Sequence, residues 1–315
     1  MSVILGDGEY MYEEQSGWAR LPAGWDLFEV VDVAVDAQDR VYVFGRGEHP
    51  VTVFEPDGSF VTAWGVGLFT RPHGITLGPD GAFYCVDDGA HCIYKCSPEG
   101  QVLTVIGAPG VPAQRLSGRP FNQPTKVAFH PHTGNLYIGD GYGNARVHVY
   151  SPEGEHLHSW GAFGADPGQF NLVHSVTTDS VGRVYVADRE NHRIQVFDDQ
   201  GNYLDQWNNL HRPCGFHIDG ALAYVGQLLT HLSINAEYPN IGACVTIHDL
   251  SGRRLTRLGD VVPGEAAGQF TTPHGLAVDS RGDIYVGEVS WSGYGRRLDP
   301  PRTAPCFRKL VRVGR

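Results

Sequence analysis

Apolar and polar residues alternate with period two along most of this chain, as in Val184-Tyr185-Val186 and Ile194-Gln195-Val196-Phe197, and no stretch sustains a helical period. One unit returns six times. It is a short apolar strand, an Asp/Gly turn, an alternating strand, a polar loop, a third strand, a Pro-x-Gly-type turn, and a last strand ending in Trp or Gly. The first copy runs from Asp32-Val33-Ala34-Val35-Asp36 through Arg40-Val41-Tyr42-Val43-Phe44 and Val51-Thr52-Val53-Phe54, turns at Pro56-Asp57-Gly58 and ends at Ala63-Trp64-Gly65. The others open at Gly74-Ile75, Lys126-Val127, Ser175-Val176, Gly215-Phe216 and Gly275-Leu276. Six units of about 40 residues, each a four-stranded antiparallel sheet, predict an all-β six-bladed β-propeller. It takes up residues 1–315 as a single domain. The sixth unit runs out of strands after Phe307-Arg308-Lys309-Leu310-Val311-Arg312-Val313. A strand around Glu9-Tyr10-Met11-Tyr12 is expected to complete it, closing the ring and removing an open edge.

Charge narrows the function classes. Lys plus Arg number 24 against 35 Asp plus Glu, a formal charge of −11, which argues against a nucleic-acid or anionic-membrane surface. The 41 glycines and 20 prolines recur as punctuation, the mark of turns in an ordered protein. No apolar run approaches the roughly 20 residues of a membrane helix, and Met1 to Glu9 lacks the basic-then-apolar signature of a secretory leader. Six cysteines without a CxxC pair are expected to be free thiols in a reducing cytoplasm. Nothing in the pattern sets an oligomeric state.

Repeat position then assigns residues to a face. The place just before the first strand of each blade reads Val31, His73, Thr125, His174, Cys214 and His274. Histidine holds blades two, four and six, about 120° apart in a six-fold ring, so the three imidazoles are expected to converge on the axis. Pro-His-Gly as a favoured lead-in to a strand explains any one of them. Three together form an open metal site of the catalytic Zn²⁺ kind.

The loops after the second strands share that face and contribute Arg46, Asp87, Asp88, Asp140, Tyr142, Asp188, Arg189, Gln227 and Glu288. Arg46 and Arg189 suit a bidentate clamp on a substrate carboxylate, with an inter-blade salt bridge as the structural alternative. Tyr142 stands between glycines, is not needed as core, and suits a general base. Asp87, Asp140 and Asp188 read as turn residues bonding their own backbone. His130 and His132 are expected to be solvated on the opposite face, and His156 and His158 to lie on an outer strand.

Gly168-Gln169-Phe170 before His174, and Gly268-Gln269-Phe270 before Pro273-His274, resemble NHL repeats. The ordered set Phe44-Gly45-Arg46-Gly47-Glu48-His49, Pro72-His73-Gly74-Ile75, Asp140-Gly141-Tyr142-Gly143-Asn144 and Val186-Ala187-Asp188-Arg189-Glu190-Asn191 is similar to peptidyl-α-hydroxyglycine α-amidating lyase over all six blades. The resemblance implies that His73, His174 and His274 bind zinc, with Fe²⁺ or Mn²⁺ as alternatives. It implies catalysis by Tyr142 and Arg46 with Arg189 in the site, and cleavage of a carbinolamide, R–CO–NH–CH(OH)–COOH, to an amide and glyoxylate.

Three departures accompany it. Thr272 stands where the family has methionine. Gly275 stands where it has aspartate, which would leave a structural Ca²⁺ only the carbonyls of Val33 and Ile75. Gly143, Tyr185 and Val196 replace or flank its disulfide cysteines. Together these fit a cytoplasmic relative whose substrate need not be a peptide. The segments Gln227-Leu228-Leu229-Thr230-His231, Asn235-Ala236-Glu237-Tyr238-Pro239-Asn240 and Ser290-Trp291-Ser292-Gly293-Tyr294-Gly295-Arg296-Arg297 are expected to wall the pocket and set substrate choice.

The expected function is a zinc-dependent lyase for a small carboxylate-bearing α-hydroxy-N-acyl substrate. Two alternatives stand beside it: a metal-dependent hydrolase such as a lactonase, and a non-catalytic NHL module for a protein or RNA partner. Glyoxylate release, ring opening and a metal-free protein are their respective signatures.

Overall fold

Alternating segments become strands because each blade is sandwiched between two neighbours, and the computed structural model, which describes residues 3–235 and 241–314, shows six antiparallel sheets among them. Blade one is Val30–Val35, Val41–Gly45, Val51–Phe54 and Phe60–Trp64, in that order from the axis outward. The second strands, such as Phe83–Asp87 and Val184–Asp188, are buried along their whole length, since both faces meet another blade. Outer strands such as Val102–Ile106 and Tyr203–Trp207 are exposed over their first three residues and buried at the last.

Outer-strand tryptophans lock blade to blade. Trp64, Trp160 and Trp207 lie against Gly100, Gly201 and Gly252 of the following blades, where an added Cβ would come within 2.5, 2.5 and 2.3 Å of the ring. These glycines also have φ of +87°, +85° and +84°, so the turn needs glycine for its backbone and for the ring packed on it. The Asp/Gly turns on the other side work through the aspartate. Asp179 accepts from the Val181 and Arg183 amides and binds the Arg183 guanidinium and the Tyr185 hydroxyl.

Blade six is closed from the other end of the chain. After Pro273–Val278, Ile284–Glu288 and Phe307–Val313, its fourth strand is Tyr10–Glu14, with Tyr12 opposite Arg312 and fully buried. Beyond it lies a fifth strand, Ile4–Asp7, which the repeat pattern did not indicate. Apart from short 3₁₀ turns, the regular helix is Ser290–Gly293, in the connection between the second and third strands of blade six. Among the described residues no helix is long and apolar enough to cross a membrane. All six cysteines are free.

Candidate metal centre

The three histidines lie inside the innermost strands rather than before them. In blade two Pro72 pairs with Asp87 and Gly74 with Val86, so His73 is an extra residue in a β-bulge. His174 and His274 are the extra residues between Val173 and Ser175 and between Pro273 and Gly275. A bulge takes its residue out of the ladder and re-aims the side chain, here toward the propeller axis.

The rings converge. Their centroids are 4.9 Å (His73–His174), 5.0 Å (His73–His274) and 4.6 Å (His174–His274) apart. One nitrogen of each lies within 4.8 Å of the other two. His73 Nδ1 donates to the carbonyl of Thr125 (2.8 Å), His174 Nδ1 to that of Cys214 (3.2 Å) and His274 Nδ1 to that of Val31 (2.7 Å). Those acceptors hold the same repeat place in the odd blades. Imidazole and carbonyl thus alternate around the ring, and the carbonyls select the tautomer that leaves each Nε2 lone pair for a ligand.

Burial, the neighbouring imidazole of His274 and the Arg46 guanidinium push the His73 pKa well below the usual histidine value. Burial and Arg189 do the same to His174, and burial and Arg46 to His274. Neutral imidazole is the ligating form. Three buried neutral nitrogens with satisfied Nδ1–H groups therefore fit a divalent ion, and the all-imidazole donor set suits zinc or iron better than the oxygen-preferring manganese.

Above the triad opens a cavity of about 780 Å³, with Tyr142, Arg46 and Arg189 among its lining residues. Tyr142 donates its hydroxyl hydrogen to His73 Nε2 at 3.2 Å and accepts one from Arg189 Nη1 at 3.2 Å. The structure so brings all six expected site residues together. Repeat reasoning missed Arg71 and Arg212, which also line the cavity. Each immediately precedes the proline that starts an innermost strand, Pro72 or Pro213, and that shared place was the available signal.

Carboxylates behind the wall hold the arginines. Arg46 binds Glu29 (3.0 Å) and donates from Nε to the Pro72 carbonyl (3.0 Å). Glu29, 2% exposed, also accepts from the amide and hydroxyl of Ser292. Arg71 pairs with the buried Asp88, whose carboxyl burial nonetheless pushes up to about 6 against the pull of Arg71 and Arg46. Glu190 bridges Arg189 (2.7 Å) and Arg212 (2.9 Å). Its burial raises the carboxyl pKa, but the bonds from Arg212 and the charge of Arg189 outweigh this and hold it to about 2. Arg46 and Arg189 are thus each paired with a carboxylate of their own blade, Glu29 and Glu190, rather than across blades, while both line the cavity.

Asp87, Asp140 and Asp188 bond within their turns, to Ala90, Asn144 and Asn191. They also accept from backbone amides of the loop leading into the innermost strand, at Thr70 and Arg71, at Asn122 and at Asn171. Gln227 and Glu288 do the same for His211 and for Thr271 and Thr272. These acidic and amide side chains are the pins that set where each bulge falls.

Several expectations need correction. His130 is buried rather than solvated, against Gly182 of the next blade, while His132 is exposed. Leu228 to His231 line the cavity, as do Thr272, Ser292, Arg296 and Arg297, but residues 236–240 lie outside the described residues. Below the triad, Lys126 Nζ bonds the Asp32 carboxylate and the Ile75 carbonyl (2.8 Å). A Cβ on Gly275 would come within 2.4 Å of Asp32, so the aspartate that Gly275 replaces has no room, and a carbonyl once expected near Ca²⁺ is taken by an ammonium.

A family model for the NHL repeat matches residues 170–197, in blade four. NHL repeat-containing protein 3 of Homo sapiens is 35% identical over 301 residues, covering 89% of this chain and 82% of its own length. Peptidyl-alpha-hydroxyglycine alpha-amidating lyase 1 of Drosophila melanogaster is 29% identical over 265 residues, 77% of this chain but 47% of that protein. Among solved structures, a streptogramin B lyase shares the fold with a TM-score of 0.57 at 12% identity, over 96% of this chain and 86% of its own. With 35% identity to a relative aligned along most of both chains, and six blades of the matching architecture, this chain belongs to the NHL-repeat β-propeller family.

Proposed function

We propose that this propeller is a metal-dependent carbon–nitrogen lyase acting on a small α-hydroxy-N-acyl compound that bears a carboxylate. The observation that carries the reading is the buried triad of neutral histidines with the Tyr142 hydroxyl 3.2 Å from His73, at the floor of an arginine-lined cavity. Relatives named as amidating lyases support the lyase class.

Zinc held by His73, His174 and His274 would lend Lewis acidity to the substrate hydroxyl. Arg46 and Arg189 each keep Nη2 outside the bonds described above, and these donors take the substrate carboxylate. Arg189 also donates to the Tyr142 oxygen and so steadies negative charge there. With its own hydroxyl hydrogen first given up to solvent, Tyr142 as the phenolate would remove the substrate hydroxyl proton, the oxygen pair forming the new C=O while the C–N pair leaves with nitrogen. The proton taken by Tyr142 returns to that nitrogen, giving amide and glyoxylate with the base restored.

The test is elemental analysis of the purified protein beside a His73→Ala, His174→Ala, His274→Ala variant, with glyoxylate assayed from an N-acyl-α-hydroxyglycine. About one metal per chain, lost in the variant, together with glyoxylate release is the expected result. A wild-type protein that takes up no metal after zinc reconstitution overturns the reading.

A further inference from the structure

The charge inside the cavity does not balance around one small acid. Six guanidiniums line it, from Arg46, Arg71, Arg189, Arg212, Arg296 and Arg297, against the three carboxylates of Glu29, Asp88 and Glu190. In a protein of net charge −11 that excess is confined to one site. Inner and outer arginines differ in kind. Arg46, Arg71, Arg189 and Arg212 each have a carboxylate partner, whereas Arg296 and Arg297 make no side-chain hydrogen bond or ion pair to any described residue.

The segment bearing the outer pair is built rather than loose. Glu29, which holds Arg46, also binds the Ser292 amide and hydroxyl. Ser290 donates to the Ala304 carbonyl, and a Cβ at Gly295 would lie 2.2 Å from the Arg302 carbonyl, so the turn Gly295–Arg297 is packed against the chain that follows it. One carboxylate therefore positions both an inner and an outer arginine site. The lining of the same cavity also includes the apolar side chains of Leu228, Leu229 and Val289. The cavity, at about 780 Å³, falls in the range of whole small-ligand sites and exceeds what an α-hydroxyglycine head fills.

We infer that the substrate is a dianion, an N-acyl-α-hydroxyglycine whose acyl chain ends in a second carboxylate read by Arg296 and Arg297. This rests on the proposed reading of the site. The glycine carboxylate meets Arg46 and Arg189, the methylenes of the acyl chain lie along the apolar wall, and the distal carboxylate neutralises the two guanidiniums that have no partner among the described residues. Charge-assisted bonds of this kind set preference as well as affinity.

The experiment separates binding from chemistry. N-glutarylglycine and N-pentanoylglycine lack the hydroxyl and cannot react; they differ at the chain end by a carboxylate against a methyl. Calorimetric titration of the zinc-loaded protein is expected to show the glutaryl compound binding about tenfold tighter, with the ratio falling to near one in Arg296→Gln/Arg297→Gln and shrinking with added salt. Equal binding of the two compounds by the wild type, or a ratio that survives the double substitution, overturns the inference. Glyoxylate assays on the matching N-acyl-α-hydroxyglycines report the lyase reading independently. Glyoxylate from both at equal kcat/KM retains the lyase and removes the dianion, while a glutaryl preference in binding without glyoxylate does the reverse.

Discussion

His274 and Val31 stand 243 residues apart in the chain and one blade apart in the ring, and the imidazole Nδ1 donates to the Val31 carbonyl at 2.7 Å. The same bond joins His73 to Thr125 and His174 to Cys214. The acceptors are backbone atoms, so the orientation of each ring is set by blade packing, with the Cys214 thiol adding a contact to His174 Nδ1 at 3.2 Å. This explains why Val, Thr and Cys can all serve there.

Glu29 is expected to be a positioning residue for Arg46. Glu29→Gln removes the charge facing Arg46 while leaving an amide oxygen for Ser292. The expected outcome is a loss of roughly tenfold to a hundredfold in kcat/KM, mostly as a rise in KM, with metal content and thermal midpoint near those of the wild type. A KM that does not move shows that Arg46 is held without it.

Glu190 links stability to acid. Its folded-state carboxyl is held to about 2, below the usual glutamate value, so its contribution is present in full above about pH 4.5 and fades as pH falls toward 2. Solvent in the cavity partly screens these mostly buried pairs, and the effect is on the order of 1–2 kcal/mol. Denaturant unfolding of Glu190→Gln is expected to show a deficit of that size at pH 7 that narrows by pH 3. A deficit that stays constant with pH would assign the loss to packing.

Lys126 and Asp32 form the floor of the axial site. Lys126→Met leaves the buried Asp32 without its ammonium and is expected to cost about 3 kcal/mol. Burial already raises the Asp32 carboxyl pKa, and Lys126 is the charge that opposes this. Adding Asp32→Asn is expected to return most of the lost stability, since the Ile75 amide keeps an oxygen to bond. Chemical denaturation of the single and double variants measures the coupling, and additive losses would show that the two residues act separately.

The blades were legible because burial on both faces writes itself as alternating apolar runs, and because Gly100, Gly201 and Gly252 must be glycine beneath a tryptophan. The histidines were legible through their repeat position, one blade in two. Their bulges were not, since a bulge is an offset between two strands and neither strand's composition shows it. Arg71 and Arg212 escaped because they stand just before the innermost strands, outside the loops after the second strands that supply the other cavity residues of this kind. The strand Ile4–Asp7 escaped because it repeats nothing and pairs only with Tyr10–Glu14. His130 was misplaced because a His-Pro-His hairpin reads as polar, while its burial comes from a glycine 52 residues later in sequence, Gly182, that makes room for the ring.

The joint between blade six and blade one bears on the order in which the molecule is made. His274 comes from a blade whose outer strand is Tyr10–Glu14, and it bonds Val31 of blade one. On a ribosome Tyr10–Glu14 emerges long before Phe307–Val313, the strand that joins it to blade six. The third imidazole is therefore fixed in place only after Phe307–Val313 has been made. Nascent chains of this protein would carry two histidines of the triad without a metal trap, and loading of the ion becomes a reporter that the circle has shut.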